Sequence, residues 1–400
     1  MKKVILLSTI SAMALFATNG DTLIGTGTKS RGMGGAGIGV SHCAESTLSN
    51  PALITCTRGT SISFGGTIFM PDISAKMGMA NSHDSAADMS VIPSVAISHK
   101  IDNNWYVGIG MWGTAGMGVD YRDAKQTATD SGNMHMLTNL QLMQFAPSIA
   151  YSTGKAGIAL TTIIQYGALD INYKMPTPSG VLQVGDGVSQ DFGYGYNLGA
   201  YYDFENGITL GAVYKSKIKM KYDHQLSTAT SPFVGMGVFP GALSDDLDQP
   251  SEIGIGIGYK LNQHTFALDY KKIKWSDASG YKDFGWEDQD VFALGYQYKN
   301  GKWKYRAGYN YAKTPVKEQP NTPAGQAINV FNLLGFPATA EKHYTLGIGY
   351  EFSDNFYVDV AYVIAPKTTK SMDTTMFTGG DTTVKHSESS LSVQFSYRFF

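Results

Sequence analysis

After Ala17 the sequence holds no apolar run of the ~18 to 20 residues that a membrane-spanning helix requires, which excludes a helical membrane bundle. Cysteine is nearly absent, with only Cys43 and Cys56. A disulfide-dense secreted scaffold is therefore excluded. So is a structural metal site, which needs more ligands than two cysteines when no histidine cluster lies nearby. Charged residues make up only 16% of the chain and balance to −2, with no basic domain to hold a nucleic acid. Catalytic signatures are missing as well. There is no G-x-S-x-G, P-loop or H-E-x-x-H, and the eight histidines are scattered singly. Nothing points to an enzyme, and no cofactor is implied.

What the chain does have begins at its N-terminus. Lys2 and Lys3 precede a short apolar run, Val4 to Phe16, with the small Ala17 at a plausible cut. That pattern predicts a secretory signal peptide over residues 1–17. Export into an oxidising compartment would let Cys43 and Cys56 pair; otherwise they are two buried or free thiols.

From Arg58 onward the sequence alternates with a period of two, the period of a strand. Ile253, Ile255, Ile257 and Tyr259 share one parity, and Gly254, Gly256, Gly258 and Lys260 the other. Tyr344, Leu346, Ile348 and Tyr350 likewise oppose Thr345, Gly347, Gly349 and Glu351. The last ten residues, LSVQFSYRFF, keep the pattern to the end. Connections alternate between short turns, such as Glu205-Asn206-Gly207 and Asn300-Gly301, and long segments near 223–248 and 314–339. Strands placed around these turns number about fourteen, an even count. Short turns on one side, long loops on the other and an apolar parity rich in aromatic residues predict an all-β fold, a 14-stranded antiparallel transmembrane β-barrel. Closure leaves no backbone group unpaired in lipid. The rival fold is an exported sandwich or propeller, but glycine on the opposite parity suits a crowded lumen better than a wetted surface. In strand nine Phe266, Leu268 and Tyr270 give way to Ile273 and Trp275, which predicts a bulge near Lys271-Lys272.

Residues 18–57 do not alternate. The stretch is glycine-rich, and Ala44 to Leu48 suits a short helical turn. It ends in Ser49-Asn50-Pro51-Ala52-Leu53-Ile54. This preface and its Asn-Pro-Ala motif resemble the hatch of the outer-membrane long-chain fatty acid and aromatic hydrocarbon transporter family, FadL/TodX type. Further likenesses are Tyr214 to Lys219, Leu268 to Ser276, Arg306 to Val316 and Phe336 to Asn355. Together they span most of residues 18–400.

The resemblance implies three parts: a signal peptide over 1–17, an N-terminal hatch of short helical and irregular structure over 18–57 inside the barrel, and a barrel over 58–400. It implies passive uptake of hydrophobic compounds across the outer membrane, with apolar outer loops as a landing site and lateral release through a kinked third strand. The hatch motif falls on Asn50, Pro51 and Ala52. Gly113, Gly116 and Gly118 are the expected kink, unless they only make room for the hatch. Phe233, Val234, Met236, Val238 and Phe239, with Phe331, Leu333, Leu334 and Phe336, are the expected landing site, unless these loops pack together as a lid. Lys215, Lys217, Lys219 and Arg306 are candidate cations for a carboxylate head group; the lysine row otherwise reads as a solvated wall or a contact to surface phosphates.

The implied partners are fatty acids or alkylbenzenes, with detergent or lipid standing in for them in the lumen. Others are lipopolysaccharide and the barrel assembly machinery, reached through Phe400. A monomer without nucleic acid is expected. The same fold serving monoaromatic hydrocarbons, or a surface barrel with structural or adhesive duty and no transport, are the alternatives.

Overall fold

The computed structural model describes residues 18–127, 129–177 and 180–399. The expected leader, residues 1–17, and Phe400 lie outside them. Fourteen antiparallel strands close on themselves. They are strand one (Thr60–Met77), two (Ser90–Lys100), three (Trp105–Asp120) and four, in two pieces (Leu137–Phe145 and Ser148–Ser152) around Pro147. Strands five (Ala156–Thr177), six (Ser189–Asp203), seven (Ile208–Lys215), eight (Glu252–Leu261) and nine (His264–Ile273) follow. Strands ten (Gln289–Asn300), eleven (Trp303–Ala312), twelve (Lys342–Glu351), thirteen (Phe356–Met372) and fourteen (Thr382–Phe399) complete the wall. Strand fourteen pairs with strand one from Phe399↔Thr60 to Thr382↔Met77, which closes the cylinder.

The burial pattern is the reverse of a water-soluble protein's. Ile253, Ile255 and Ile257 are exposed, at 54%, 61% and 37%, while Gly254, Gly256 and Gly258 between them are buried. On strand fourteen Leu391 and Tyr397 face out, while Ser390, Ser392, Gln394 and Ser396 are buried. An apolar outside around a polar, glycine-rich inside is what lipid selects. Trp105 against Tyr151, Trp303 against Tyr350 and Tyr397 against Phe399 gather beside the short turns, where interfacial aromatics sit.

Strand nine has no bulge. It pairs without a register shift to both neighbours, so the expectation at Lys271-Lys272 fails. Ala267, Asp269 and Ile273 share the inward parity throughout. The apolar residues change sides there because the lumen itself becomes apolar: Ile273 and Trp275 join a buried cluster with Tyr281 and Trp286.

Residues 18–57 lie against the inner faces of the strands. A short pair, Thr18–Asn19 and Thr22–Leu23, leads into helix α1 (Thr28–Arg31), helix α2 (Ser46–Ser49) and a 3-10 turn (Pro51–Cys56). Two close approaches account for part of the glycine parity. A Cβ on Gly308 would collide with the Gly34 backbone, and one on Gly258 with the Gly39 carbonyl. The structure joins Cys43 to Cys56.

Candidate functional site

Strand three changes character at Gly113. Up to Trp112 it alternates between exposed and buried residues; from Gly113 to Asp120 every residue is buried. Its register with strand four shifts between Gly113↔Met143 and Ala115↔Leu142, which leaves Thr114 as the extra residue of a bulge. A bulge bends its strand. The ladder to strand two runs from Tyr106↔Lys100 to Trp112↔Ser94 and stops there. The next residue on strand two is Pro93, which has no N–H to donate. Strand three is instead joined on its inner side by Thr22↔Ala115 and by the Gly116 N–H bonded to the Asp21 carbonyl (3.1 Å). Strand two meanwhile keeps pairing with strand one through Ile92↔Thr67 and Val91↔Ile68. The two walls therefore part above Ser94. They rejoin at the top, where the Ala86 N–H donates to the Asp120 carbonyl (2.8 Å) and the Asp120 N–H to Ser85 Oγ (3.0 Å). Leu23 and Ile24 pack with Phe69, Ala87, Ile92 and Val363 behind this parting. Gly113, Gly116 and Gly118 thus line it, with Pro93 as a partner that spacing rules had not singled out.

The N-terminal segment is held by named bonds. Asn50 Nδ2 donates to the Ile38 carbonyl (2.8 Å) and the Ala200 carbonyl of strand six (3.0 Å), and its Oδ1 accepts from the Ala52 N–H (3.2 Å). Pro51 opens the 3-10 turn, where a missing N–H costs nothing. Asp269 of strand nine accepts from the Gly37 and Ile38 N–H groups (2.7 and 2.8 Å). Glu45 accepts from Gln394 Nε2 (2.6 Å) and pairs with Lys29 (2.7 Å). Asp21 accepts from the Tyr281 hydroxyl and from Gln249 Nε2. Asp269 is legible in retrospect as a carboxylate on the inward parity with no basic residue opposite; its partners are backbone groups, which no spacing rule reveals.

The outer loops correct the landing-site expectation. Phe233, Phe239, Phe331, Leu333, Leu334 and Phe336 are buried, Val234 and Val238 half-buried, and only Met236 is well exposed. Helix α3 (Leu226–Gly235) carries Phe233 inward, and the π-helical turn Phe331–Gly335 that follows helix α4 (Pro323–Val330) carries Phe331, Leu333 and Leu334; Phe233 meets Phe331 at 5.4 Å and Phe377 at 5.7 Å. The loops fold into a lid because apolar side chains gain by packing on each other. What opens to the outside is a cavity of about 410 Å³. Met77, Met79, Met134, Met175, Met236 and Met376 line it, with Phe233 and Phe377.

The lysine row is corrected too. Strand seven ends at Lys215, and Ser216 bonds twice to Tyr196, through its N–H to the carbonyl and through Oγ from the N–H (both 2.9 Å). After that break Ile218, Met220 and Tyr222 turn inward and are buried, while Lys219 and Lys221 are exposed and Lys217 is half-exposed. Lys215 stays inside the wall beside Glu252 (3.6 Å). Arg306 is buried and bound to Asp359 (2.7 Å) and Gln297 (2.8 Å). Both inward cations are already partnered.

A carboxylate ties the first two outer loops together. Asp130 accepts from the Gly132 N–H (2.9 Å), from Asn81 Nδ2 (2.7 Å) and from its N–H (3.2 Å), and meets His83 at 3.1 Å. Burial works to raise its pKa, but these hydrogen bonds outweigh it and hold the group at about 2, below the ordinary 3.8. A depressed carboxyl stabilises the fold above its ordinary value and loses that contribution as pH falls through its folded value. Protection of residues 78–89 against hydrogen exchange, relative to intrinsic rates, is therefore expected to fall as pH drops from about 3.8 to about 2 and to level off below that. Asp130→Asn should exchange faster throughout, without that acid step.

Comparison with known proteins supplies the context. A 22% identical relative is the long-chain fatty acid transport protein of Escherichia coli O6:H1, aligned over 391 residues, 81% of this chain and 83% of the relative. The 47 kDa outer membrane protein of Pasteurella multocida is also 22% identical, over 82% of this chain and 84% of its own. Among solved structures, a Pseudomonas aeruginosa FadL homologue has a TM-score of 0.72 at 16% identity, covering 95% of this chain and all of the other. The Pseudomonas putida toluene transporter TodX has a TM-score of 0.69 at 19% identity, covering 94% and 99%. The family model described as outer membrane protein transport protein (OMPP1/FadL/TodX) matches residues 4–399, so the chain belongs to that outer-membrane transport family.

Proposed function

We propose that the protein is a channel for passive uptake of hydrophobic compounds, with long-chain fatty acids or monoaromatic hydrocarbons as cargo. The observation that carries the reading is the parted wall between strands two and three, backed by Leu23 and Ile24 of the N-terminal segment. A poorly soluble solute gains nothing from a water-filled pore. It needs an apolar route across the polar surface layer and then an exit into hydrocarbon.

The methionine-lined mouth suits capture. Thioether side chains are flexible and polarisable and adapt to cargo of varied shape. The N-terminal segment acts as the hatch, and displacing Leu23 and Ile24 opens the way to the parting. No covalent step is involved. Both cargo classes meet the same physical requirements; the curated relative is a fatty acid transporter and the solved relative a toluene transporter.

Uptake of labelled oleate and of toluene into cells lacking other hydrophobic channels tests the reading. Uptake of at least one above an empty-membrane control is expected; uptake of neither would favour a closed surface barrel. Met236 and Met376 are exposed, so charge there should not disturb folding. Changing both to Glu is expected to raise the half-saturating concentration roughly tenfold, as lost apolar contact of about 1.5 kcal/mol implies. The maximal rate should hardly move.

A further inference from the structure

A cavity of about 520 Å³ opens between the N-terminal segment and the short turns at Gly207 and Asn262-Gln263. In outer-membrane barrels the short turns face the periplasm. Six cations line the cavity: Lys29, Lys260, Lys299, Lys304, Arg306 and Arg398. Among the described residues no carboxylate lines it. Lys29 belongs to α1. The other five stand on the inward parity of strands eight, ten, eleven and fourteen, near their short-turn ends.

This charge is balanced only in part. Lys29 meets Glu45 (2.7 Å), Arg306 meets Asp359 (2.7 Å), and Lys299 and Lys304 share Glu351 (3.3 and 2.8 Å). Among the described residues Lys260 and Arg398 pair with no carboxylate; Arg398 lies over the Tyr357 ring (4.4 Å) and donates to its hydroxyl (2.9 Å). Lys299 and Lys304 stand directly opposite each other in the ladder, and like charges so placed cost stability. Glu351 offsets one of the two, which leaves the other to an anion from outside. Side-chain exposure falls from 49% at Lys299 to 19% at Lys304, 16% at Lys29 and 2% at Arg306. The charges therefore lead inward from the turn to the N-terminal segment.

The lining tells against lipid. Its main apolar side chains are Met33, Val40 and Tyr259, too few to cover an acyl tail. A single phosphate is too small. From strand eight, with Lys260, to strand eleven, with Arg306, the wall runs three steps, about 14 Å at ordinary strand spacing. Roughly four residues of extended peptide cover that span. We propose that the cavity is a docking site for an acidic peptide segment of a periplasmic protein. Its carboxylates meet Lys260, Lys299 and Arg398 at the opening and Lys29 further in. There they compete with Glu45, so the segment acts directly on α1. The site stands apart from the uptake reading and does not depend on it.

The test is binding of fluorescent hexaglutamate to the full-length protein in lipid nanodiscs, which leave both faces open. Wild type is expected to bind the peptide at low salt and to release it at high salt. Lys260→Gln with Lys299→Gln should weaken binding roughly tenfold. Both side chains are exposed, so folding should not suffer. Lys155→Gln with Lys302→Gln removes as much charge from turns outside the cavity and should leave binding unchanged. Equal weakening by the two pairs would show diffuse attraction and overturn the site. So would wild type that does not bind the peptide. Displacement by inorganic triphosphate as readily as by unlabelled hexaglutamate would mark a small-anion site instead. Displacement by oleate would assign the cavity to cargo, and would overturn the docking site as well. Uptake of oleate and toluene is measured separately, and failure of either inference leaves the other standing.

Discussion

Deleting Thr114 is expected to leave a folded barrel in which uptake of oleate and toluene falls at least about tenfold. Thr114 is the residue that strand four does not match. Without it, Ala115 moves into the place beside Leu142 by regular register, and the strand no longer has to bend. A straight strand three would run on beside Val91 and Ile92 and close the wall. Pro93 leaves one hydrogen bond of that ladder unmade, so Pro93→Val added to the deletion should tighten the closure and lower uptake further. Folding is checked by heat-modifiable migration, which reports the closed barrel. Full uptake through a folded, bulge-free barrel would mean that cargo leaves elsewhere, for instance straight into the periplasm.

Asn50→Ala is expected to loosen the N-terminal segment by about 3 kcal/mol, because three hydrogen bonds are lost and the Ile38 carbonyl is left buried without its donor. The wall should stay intact, since Asn50 lies outside every strand. Leakage of small polar dyes should rise, and hydrophobic uptake should change with it. Asn50→Asp should be worse than Asn50→Ala: it keeps the bond from the Ala52 N–H but sets a carboxylate against two carbonyl oxygens. Leakage and uptake at wild-type levels in both variants would show that the Asn-Pro-Ala turn does not hold the segment. The Cys43–Cys56 link spans the turn but should not compensate, as it joins the segment only to itself.

Much of this was legible in the residues. Ile253, Ile255 and Ile257 against Gly254, Gly256 and Gly258 announced a two-faced wall, because strand parity is a local property. Short Asn-Gly turns alternating with long loops fixed the count of strands. What failed depended on tertiary contact. Phe331 and Phe336 read as exposed because an apolar loop looks the same whether it meets solvent or a second loop. Lys217 and Lys219 read as inward because parity was carried past Ser216, where the strand had ended. Ile273 and Trp275 read as a slip because the lumen was taken to be polar along its whole height. Pro93 went unnoticed because a strand proline matters only once the neighbour opposite it is known.

The most direct measurement is photolabelling with a fatty acid that carries a diazirine near its tail, bound to the protein in outer-membrane vesicles. Label is expected on Phe69, Ile92 and Ala115, which flank the parting between strands two and three, and competition by unlabelled oleate should remove it. Label confined to the outward Ile253, Ile255 and Ile257, with none on those three, would contradict passage through the lumen and out through the wall.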